Sequence, residues 1–336
     1  MKCLVTGATG FLGTNLVHEL VKAGWEVRAF GLPGSNTTYI KSLPVEIIFG
    51  DITKRDDVEK AVEGCEYIFH VAGDTSWWNK RFEKQREINV DGVINVAEAC
   101  IKFGVKRLVH TSTVDALGYN PEGVANETWK IYNYKNTGYN YADTKRDGEL
   151  SLTTLAKKGL EYVVVYPGSM LGPFDFTLQY GRLFFELRDG KTPGCPSGGV
   201  SFGHATEVAK AHIQAALVGK PGEGYICAGE NISYRDFFDR IAHKFGKRAP
   251  KFDIGKGFLV AYGYFMQFLS RFTKKPPELD PGTARYMSVN AYYDSTKAQK
   301  ELGYQIKPVT TMIDDAYDWY VDNGYLDETK NNKSSF

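Results

Sequence analysis

Long apolar runs, paired cysteines and an excess of either charge are all missing from this 336-residue sequence. No apolar stretch precedes the strand-like run at 2–6, so no secretory signal is visible; the chain is expected to begin at Met1 and stay in the cytoplasm. The five cysteines, Cys3, Cys65, Cys100, Cys195 and Cys227, are odd in number, scattered and without a CxxC pair. That pattern excludes a disulfide framework and a zinc site, and no metal is expected. Lys and Arg total 41 against 40 Asp and Glu, a net charge of +1, with no dense basic run. Nucleic acid is therefore not an expected partner. Internal repeats, low-complexity blocks and heptads are absent too, and the charged tail 327–336 reads as a frayed terminus.

What is present is an alternation. Short β-rich apolar runs at 3–5, 27–30, 46–49, 67–71, 107–111 and 162–166 are separated by helical periodicity at 11–23, 56–62, 87–103 and 141–157. This predicts an α/β protein with a doubly wound parallel sheet (Rossmann) and ligands at the carboxyl ends of its strands. After Pro167 the regularity fades. The spacing predicts a dinucleotide-binding domain over 1–167, rejoined at about 204–230, and a smaller C-terminal substrate lobe built from 168–203 and 231–326.

Gly7, Thr9, Gly10, Phe11, Leu12 and Gly13 lie in TGATGFLG, directly after a strand and opening a helix. Such a turn lets a pyrophosphate approach the backbone and rest at the helix N-terminus. The spacing is GxxGxxG, which resembles the short-chain dehydrogenase/reductase superfamily, especially its extended members. That resemblance implies further cofactor contacts at Asp51 and Ile52 after the third strand and at Val71, Ala72 and Gly73 after the fourth. Pro167 and Ser169, in a Pro-Gly-Ser-Met segment after the sixth strand, resemble the family stretch that lines the nicotinamide and substrate, with Met170 on the substrate side.

Tyr141-Ala-Asp-Thr-Lys145 has YxxxK spacing, which on a helix puts phenol and ammonium on one face. Tyrosine alone titrates near about 10, too high for a proton shuttle at neutral pH; a neighbouring ammonium would lower it, and Lys145 would also hydrogen-bond the cofactor ribose. A second copy, Tyr293 to Lys297, has the same spacing but lies in the irregular region and reads as structural. The first copy follows a strand ending in Thr111-Ser112-Thr113. Extended family members place the catalytic hydroxyl five residues before a glycine, as Thr113 stands before Gly118; Ser112 is the runner-up and a tentative substrate contact, while Thr111 faces the cofactor or the strand interior. Together these imply hydride exchange with a substrate carbon, Tyr141 moving the hydroxyl proton, Thr113 holding the oxygen and Lys145 supporting both.

The cofactor is NADP or NAD. The second strand ends at Gly31, where a carboxylate would repel the phosphate of NADP, and this tips the reading towards NADP; Leu32 replaces the basic residue that many NADP users carry, leaving Ser35, Asn36 and Lys41 as loop candidates. Trp77 and Trp78, after the fourth strand, suggest a bulky hydrophobic substrate. The aromatic stretch 257–272 is too short to span a bilayer and reads as a core or lobe-packing helix, with contact to a membrane surface as the alternative. Its continuation through Lys275-Pro-Pro, Ala284-Arg-Tyr and Glu301-Leu-Gly-Tyr304 resembles the branch of 3β-hydroxysteroid dehydrogenase-like and dihydroflavonol reductase-like proteins. The resemblance implies a ketone and secondary alcohol interconverted on a steroid-, flavonoid- or polyketide-like molecule, and a homodimer through 87–103 and 141–157. Two other functions remain open: a nucleotide-sugar epimerase or dehydratase that retains NAD, and a non-catalytic dinucleotide-binding sensor.

Overall fold

The computed structural model describes residues 1–76, 78–273 and 275–326; Trp77 and the tail 327–336 lie outside the described residues. Seven strands form one parallel sheet: β1 (Lys2–Thr6), β2 (Glu26–Gly31), β3 (Val45–Phe49), β4 (Tyr67–His70), β5 (Arg107–Thr111), β6 (Tyr162–Pro167) and, much later in the chain, β10 (Gly224–Cys227). Their order across the sheet is β10-β6-β5-β4-β1-β2-β3. The chain winds outwards from β1 to β3 and then returns to pair β4 on the other side of β1, so the switch point lies between β1 and β4, at the Thr6–His70 pair. β6, YVVVYP, is buried at every position, as a parallel strand covered on both faces must be.

Both faces are covered because the intervening helices each carry an apolar stripe. In α1 (Phe11–Lys22), Leu12, Leu16, Val17 and Leu20 recur at helical spacing and share a core with α7 (Ala205–Val218). On the other face lie α2 (Arg55–Val62), α4 (Gly92–Phe103) and α5 (Asn140–Ala156). The helix expected over 87–103 is interrupted: Glu87–Asp91 is a π-helical turn that leads into α4. It brings the backbone of Asn89 against α5, where a Cβ at Gly148 would lie 2.0 Å from the Asn89 carbonyl.

Between and after these elements stand the short α3 (Phe82–Arg86), β7 (Ser169–Leu171), α6 (Gly181–Asp189), β8 (Cys195–Pro196) and β9 (Gly199–His204). The rest comprises β11 (Glu230–Ser233), α8 (Tyr234–Lys244), β12 (Asp253–Ile254), α9 (Lys256–Thr273), α10 (Pro281–Tyr286), β13 (Asn290–Ala291), α11 (Thr296–Leu302) and α12 (Val309–Asp322). β7, β9, β11 and β13 make a second sheet, and α6, α8 and α12 enclose a separate aromatic-rich core around Phe184, Phe202, Phe237 and Tyr320.

Two expectations need correction. The reading of 231–326 as one lobe does not describe α11, because Ala298, Leu302 and Tyr304 join the core under α1 and α7. Nor is the 257–272 helix a core helix: in α9 only Leu259, Gly263 and Ser270 are buried, while Phe258, Phe265, Phe268 and Phe272 stand exposed. No helix among the described residues is long and apolar enough to cross a membrane.

Candidate functional site

The glycine turn and the catalytic candidates meet at the carboxyl ends of β1, β4 and β5. Gly7 has φ +67°, and a Cβ there would lie 2.7 Å from the amide nitrogen of Ala72; at Gly13 it would lie 2.0 Å from the Gly7 carbonyl oxygen. Only glycine permits that conformation and those approaches. Gly10 caps α1 without any side chain accepting from the first-turn amides. These donors, at the positive end of the helix dipole, form a cradle that fits a pyrophosphate. Phe11 and Leu12 are buried in the first turn of α1.

Around the adenosine side, a Cβ at Gly31 would approach Thr9 to 3.1 Å and Ser35 Oγ to 3.4 Å, so β2 ends without room for a side chain. Arg28 is spent elsewhere, on Glu46 and on the carbonyls of Ala61 and Glu63. Ser35 donates to the Leu32 carbonyl and Asn36 accepts from the Thr38 amide, while Lys41 is exposed. Asp51 Oδ1 accepts from both the amide and hydroxyl of Thr53, a local turn. Ile52 is buried beneath Gly92.

The loop after β4 is anchored by residues the sequence reading missed. Val71 and Ala72 donate their amides to the Thr6 carbonyl and hydroxyl. Asn89 Oδ1 accepts from the Asp74 amide at 2.8 Å, and its Nδ2 donates to the Asp74 carbonyl and to Thr144 on α5. Gln85 adds a bond to the same carbonyl. Gly73 is thereby held against α5, where a Cβ would lie 3.8 Å from Lys145 Nζ. The signal for Asn89 was an amide inside an otherwise apolar helical stretch, which carries no weight without knowledge of the π turn.

Thr113, Tyr141 and Lys145 are brought together. Thr113 is extended at the end of β5 and caps a short 3₁₀ turn, Val114–Ala116. Its hydroxyl faces the phenol of Tyr141, which α5 presents in its first turn, closely enough to favour the phenolate. One turn on, buried Lys145 donates to the Thr111 carbonyl at 2.6 Å. Burial lowers its ammonium to about 8, with the Glu149 carboxylate opposing. The Tyr141 phenol moves the other way. Burial and then the Asp115 carboxylate raise it above its ordinary value, and the Thr113 hydroxyl opposes them. The influences on the phenol are burial, Asp115 and Thr113, while the Lys145 ammonium donates to the Thr111 carbonyl.

Asp115 is the second residue missed. It lies two positions beyond Thr113, fully enclosed, accepting from Tyr139 at 3.0 Å and from Thr113 at 3.4 Å. Burial raises it to about 6 against those two bonds. Its Oδ1 has no hydrogen-bond partner among the described residues. The remaining candidates separate. Ser112 turns its hydroxyl to Glu149, which Tyr166 also binds, and so braces Lys145's helix. Thr111 pairs its hydroxyl with His212 in the sheet interior. Pro167 ends β6, Ser169 accepts from Tyr180, and Met170 packs partly buried against the main core. Trp78 is partly exposed with Lys80 5.4 Å over its ring. In the second YxxxK copy, Tyr293 donates to the Gly118 carbonyl and Lys297 pairs with Glu223, a bracing role.

A doubly wound sheet with a glycine cradle at its switch point and a Thr/Tyr/Lys cluster beside it defines a dinucleotide-dependent oxidoreductase. Residues 3–228 match the NAD dependent epimerase/dehydratase family, and the chain belongs to it, as an NAD(P)-dependent enzyme acting on CH–OH groups. It is 29% identical to sterol demethylase protein B of Methylococcus capsulatus, over 97% of this chain and all of that one. It is also 29% identical to a putative dihydroflavonol 4-reductase of Synechocystis, over 96% of this chain and 95% of that protein. A nucleoside-diphosphate-sugar epimerase from Pseudomonas aeruginosa superposes with a TM-score of 0.80 at 22% identity, over 97% of this chain and 99% of that one, a likeness of fold alone.

Proposed function

We propose that this protein interconverts a ketone and a secondary alcohol on a bulky hydrophobic substrate, with Thr113, Tyr141 and Lys145 as its working residues. The observation that carries the reading is the approach of the Thr113 hydroxyl to the Tyr141 phenol, one helical turn from Lys145. A carbonyl oxygen lying there accepts from both. Tyr141, held above its ordinary value, is protonated at neutral pH and so is poised to donate as the oxygen becomes a hydroxyl. Thr113 orients that oxygen, and Lys145, tied to Thr111, presents its remaining donors to a ribose. When bound in the cradle of Gly7, Gly10 and Gly13, the nicotinamide cofactor supplies or takes the hydride.

The substrate class follows from what surrounds Tyr141. Tyr139 lies edge-on to it at 6.1 Å and stacks on Tyr286 at 5.1 Å, with Tyr134 behind. The cations nearby are spent: Arg146 on the Ala116 carbonyl and the Tyr132 ring, Arg285 on the Thr137 carbonyl and Tyr264. A nucleotide diphosphate would need free guanidinium groups to clamp it. Relatives named for sterol and dihydroflavonol chemistry point the same way. The same reading takes NADP as cofactor, since Gly31 leaves no carboxylate to repel a ribose phosphate.

The test is incubation of the protein with NADPH or NADH and a panel of sterol ketones, flavanones and nucleotide sugars. Stoichiometric cofactor consumption with a hydrophobic ketone is expected, with the lower Kd for NADPH. Sugar conversion without net consumption would replace this reading with that of an epimerase.

A further inference from the structure

Helix α9 wears its apolar side outwards. Its buried stripe is Leu259, Gly263 and Ser270, a packing face with one large apolar side chain. Gly263 is there because the helix lies tight on α10, where a Cβ would come within 2.9 Å of the Pro281 nitrogen. On the far side Phe258, Tyr262, Phe265 and Phe272 fall on one stripe at helical spacing, with Phe268 beside them edge-on to Phe272 at 5.2 Å. Phe258 and Phe272 keep 70% and 71% of their surface, exposures that are costly for phenylalanine unless something covers them.

Charge identifies the cover. From 254 to 277 the chain has no Asp or Glu, while Lys256 stands at one end of the helix and Arg271 and Lys275 at the other, all exposed. The nearest carboxylates in sequence, Asp253 and Glu278, are paired with Arg235 and Arg182. An apolar aromatic stripe between cationic ends, on a helix too short to span, matches the plane of an anionic bilayer, where rings enter the acyl boundary and cations meet headgroup phosphates. We infer that α9 docks this protein on the surface of an anionic lipid bilayer.

The dock is continuous with the site. α9 rests on α10, Gly282 of α10 packs on the Gly138 carbonyl, and Tyr286 stacks on Tyr139 beside Tyr141. Collection of a bilayer-dissolved substrate through this side rests on the ketone–alcohol reading; the docking itself does not.

The experiment is flotation of the whole protein with vesicles of phosphatidylcholine mixed with phosphatidylglycerol, and with phosphatidylcholine alone, alongside sedimentation without lipid. The protein is expected to float with the mixed vesicles, and less so as salt rises. Phe265→Ser/Phe268→Ser/Phe272→Ser should lower partitioning at least a hundredfold, and Lys256→Gln/Arg271→Gln/Lys275→Gln should lower it roughly a hundredfold, about fivefold per cation. Both variants should keep the wild-type Kd for NADPH, which shows that they fold. Absence of flotation, flotation equal in the aromatic variant, or a wild-type dimer that this variant converts to monomer would overturn the inference, the last by assigning the face to a second copy. Turnover of a hydrophobic ketone dispersed in non-ionic detergent without vesicles separates the two readings, since it tests the catalytic one without the docking.

Discussion

Replacing Asp115 by Asn tests the electrostatics of the site most directly. The carboxyl is enclosed by protein and raised from 3.8 to about 6, with burial the first cause. An acid whose folded value lies above its unfolded value binds more protons when folded, so wild-type stability falls as pH rises from about 4 through about 6. About two units at 1.36 kcal/mol each make this roughly 3 kcal/mol. Asparagine keeps an acceptor for Tyr139 and Thr113 but carries no charge. Its amide then stands where Oδ1 has no partner, a cost of about 1–3 kcal/mol that does not vary with pH. The measurable quantity is therefore a change in the difference between the proteins: Asp115→Asn should gain about 3 kcal/mol relative to wild type between pH of about 4 and about 7, or roughly 5 °C in Tm for a chain of this size. Above about pH 7 the two curves should run parallel. Thermal unfolding across that range is the assay, and parallel curves throughout would refute the claim that Asp115 is ionised at a cost beneath Thr113. The same variant removes the second-largest influence raising Tyr141, so the alkaline limb of kcat should move to lower pH.

Other substitutions separate chemistry from scaffold. Tyr141→Phe should lower kcat by about 10²–10⁴ with little change in NADPH Kd, as loss of a proton donor does; fluorescence titration and turnover read the two parts. Gly13→Ala puts a methyl 2.0 Å from the Gly7 carbonyl, so NADPH Kd should rise at least tenfold, measured by calorimetry. Tyr293→Phe removes one buried bond to Gly118, and should cost about 1 kcal/mol in unfolding while leaving kcat within about twofold, in contrast to the other YxxxK copy.

How much of this was legible depended on range. The sheet could be read because the strands from β1 to β6 are short, β-rich and mostly apolar, and the helices between carry their own periodicity. The cradle could be read because Gly7, Gly10 and Gly13 are local to one turn. Asp115 and Asn89 could not, since a carboxylate after a strand and an amide in a helical stretch both belong, by default, on a surface. Only the 3₁₀ turn after Thr113 and the π turn before α4 drive them inwards. Ser112 and Thr113 are neighbours of like chemistry, yet the extended backbone beyond β5 sends them apart: one hydroxyl goes to Glu149, the other to Asp115. Helix α9 defeated the reading for the opposite reason. Its aromatic content resembles a core helix, and sequence cannot say which side of a helix finds partners.

The division of labour between Lys145 and Tyr141 also differs from what spacing alone implies. One helical turn separates them, which suggests that the ammonium acts on the phenol. Yet Lys145 is drawn to the Thr111 carbonyl, while the carboxylate that influences the phenol comes from Asp115 on the other side of Thr113. Thr113 thus stands between two opposed influences. Its one proton goes here to Asp115, the carboxylate that disfavours the phenolate; turned towards Tyr141, the same proton would favour it. A substrate oxygen accepting from Thr113 would compete for the same proton that now bridges to Asp115, weakening that bond as the chemistry begins. Thr113→Val, which removes the hydroxyl while keeping the side-chain shape, should therefore raise Asp115 and Tyr141 together, and its kcat loss should exceed that expected from losing substrate orientation alone.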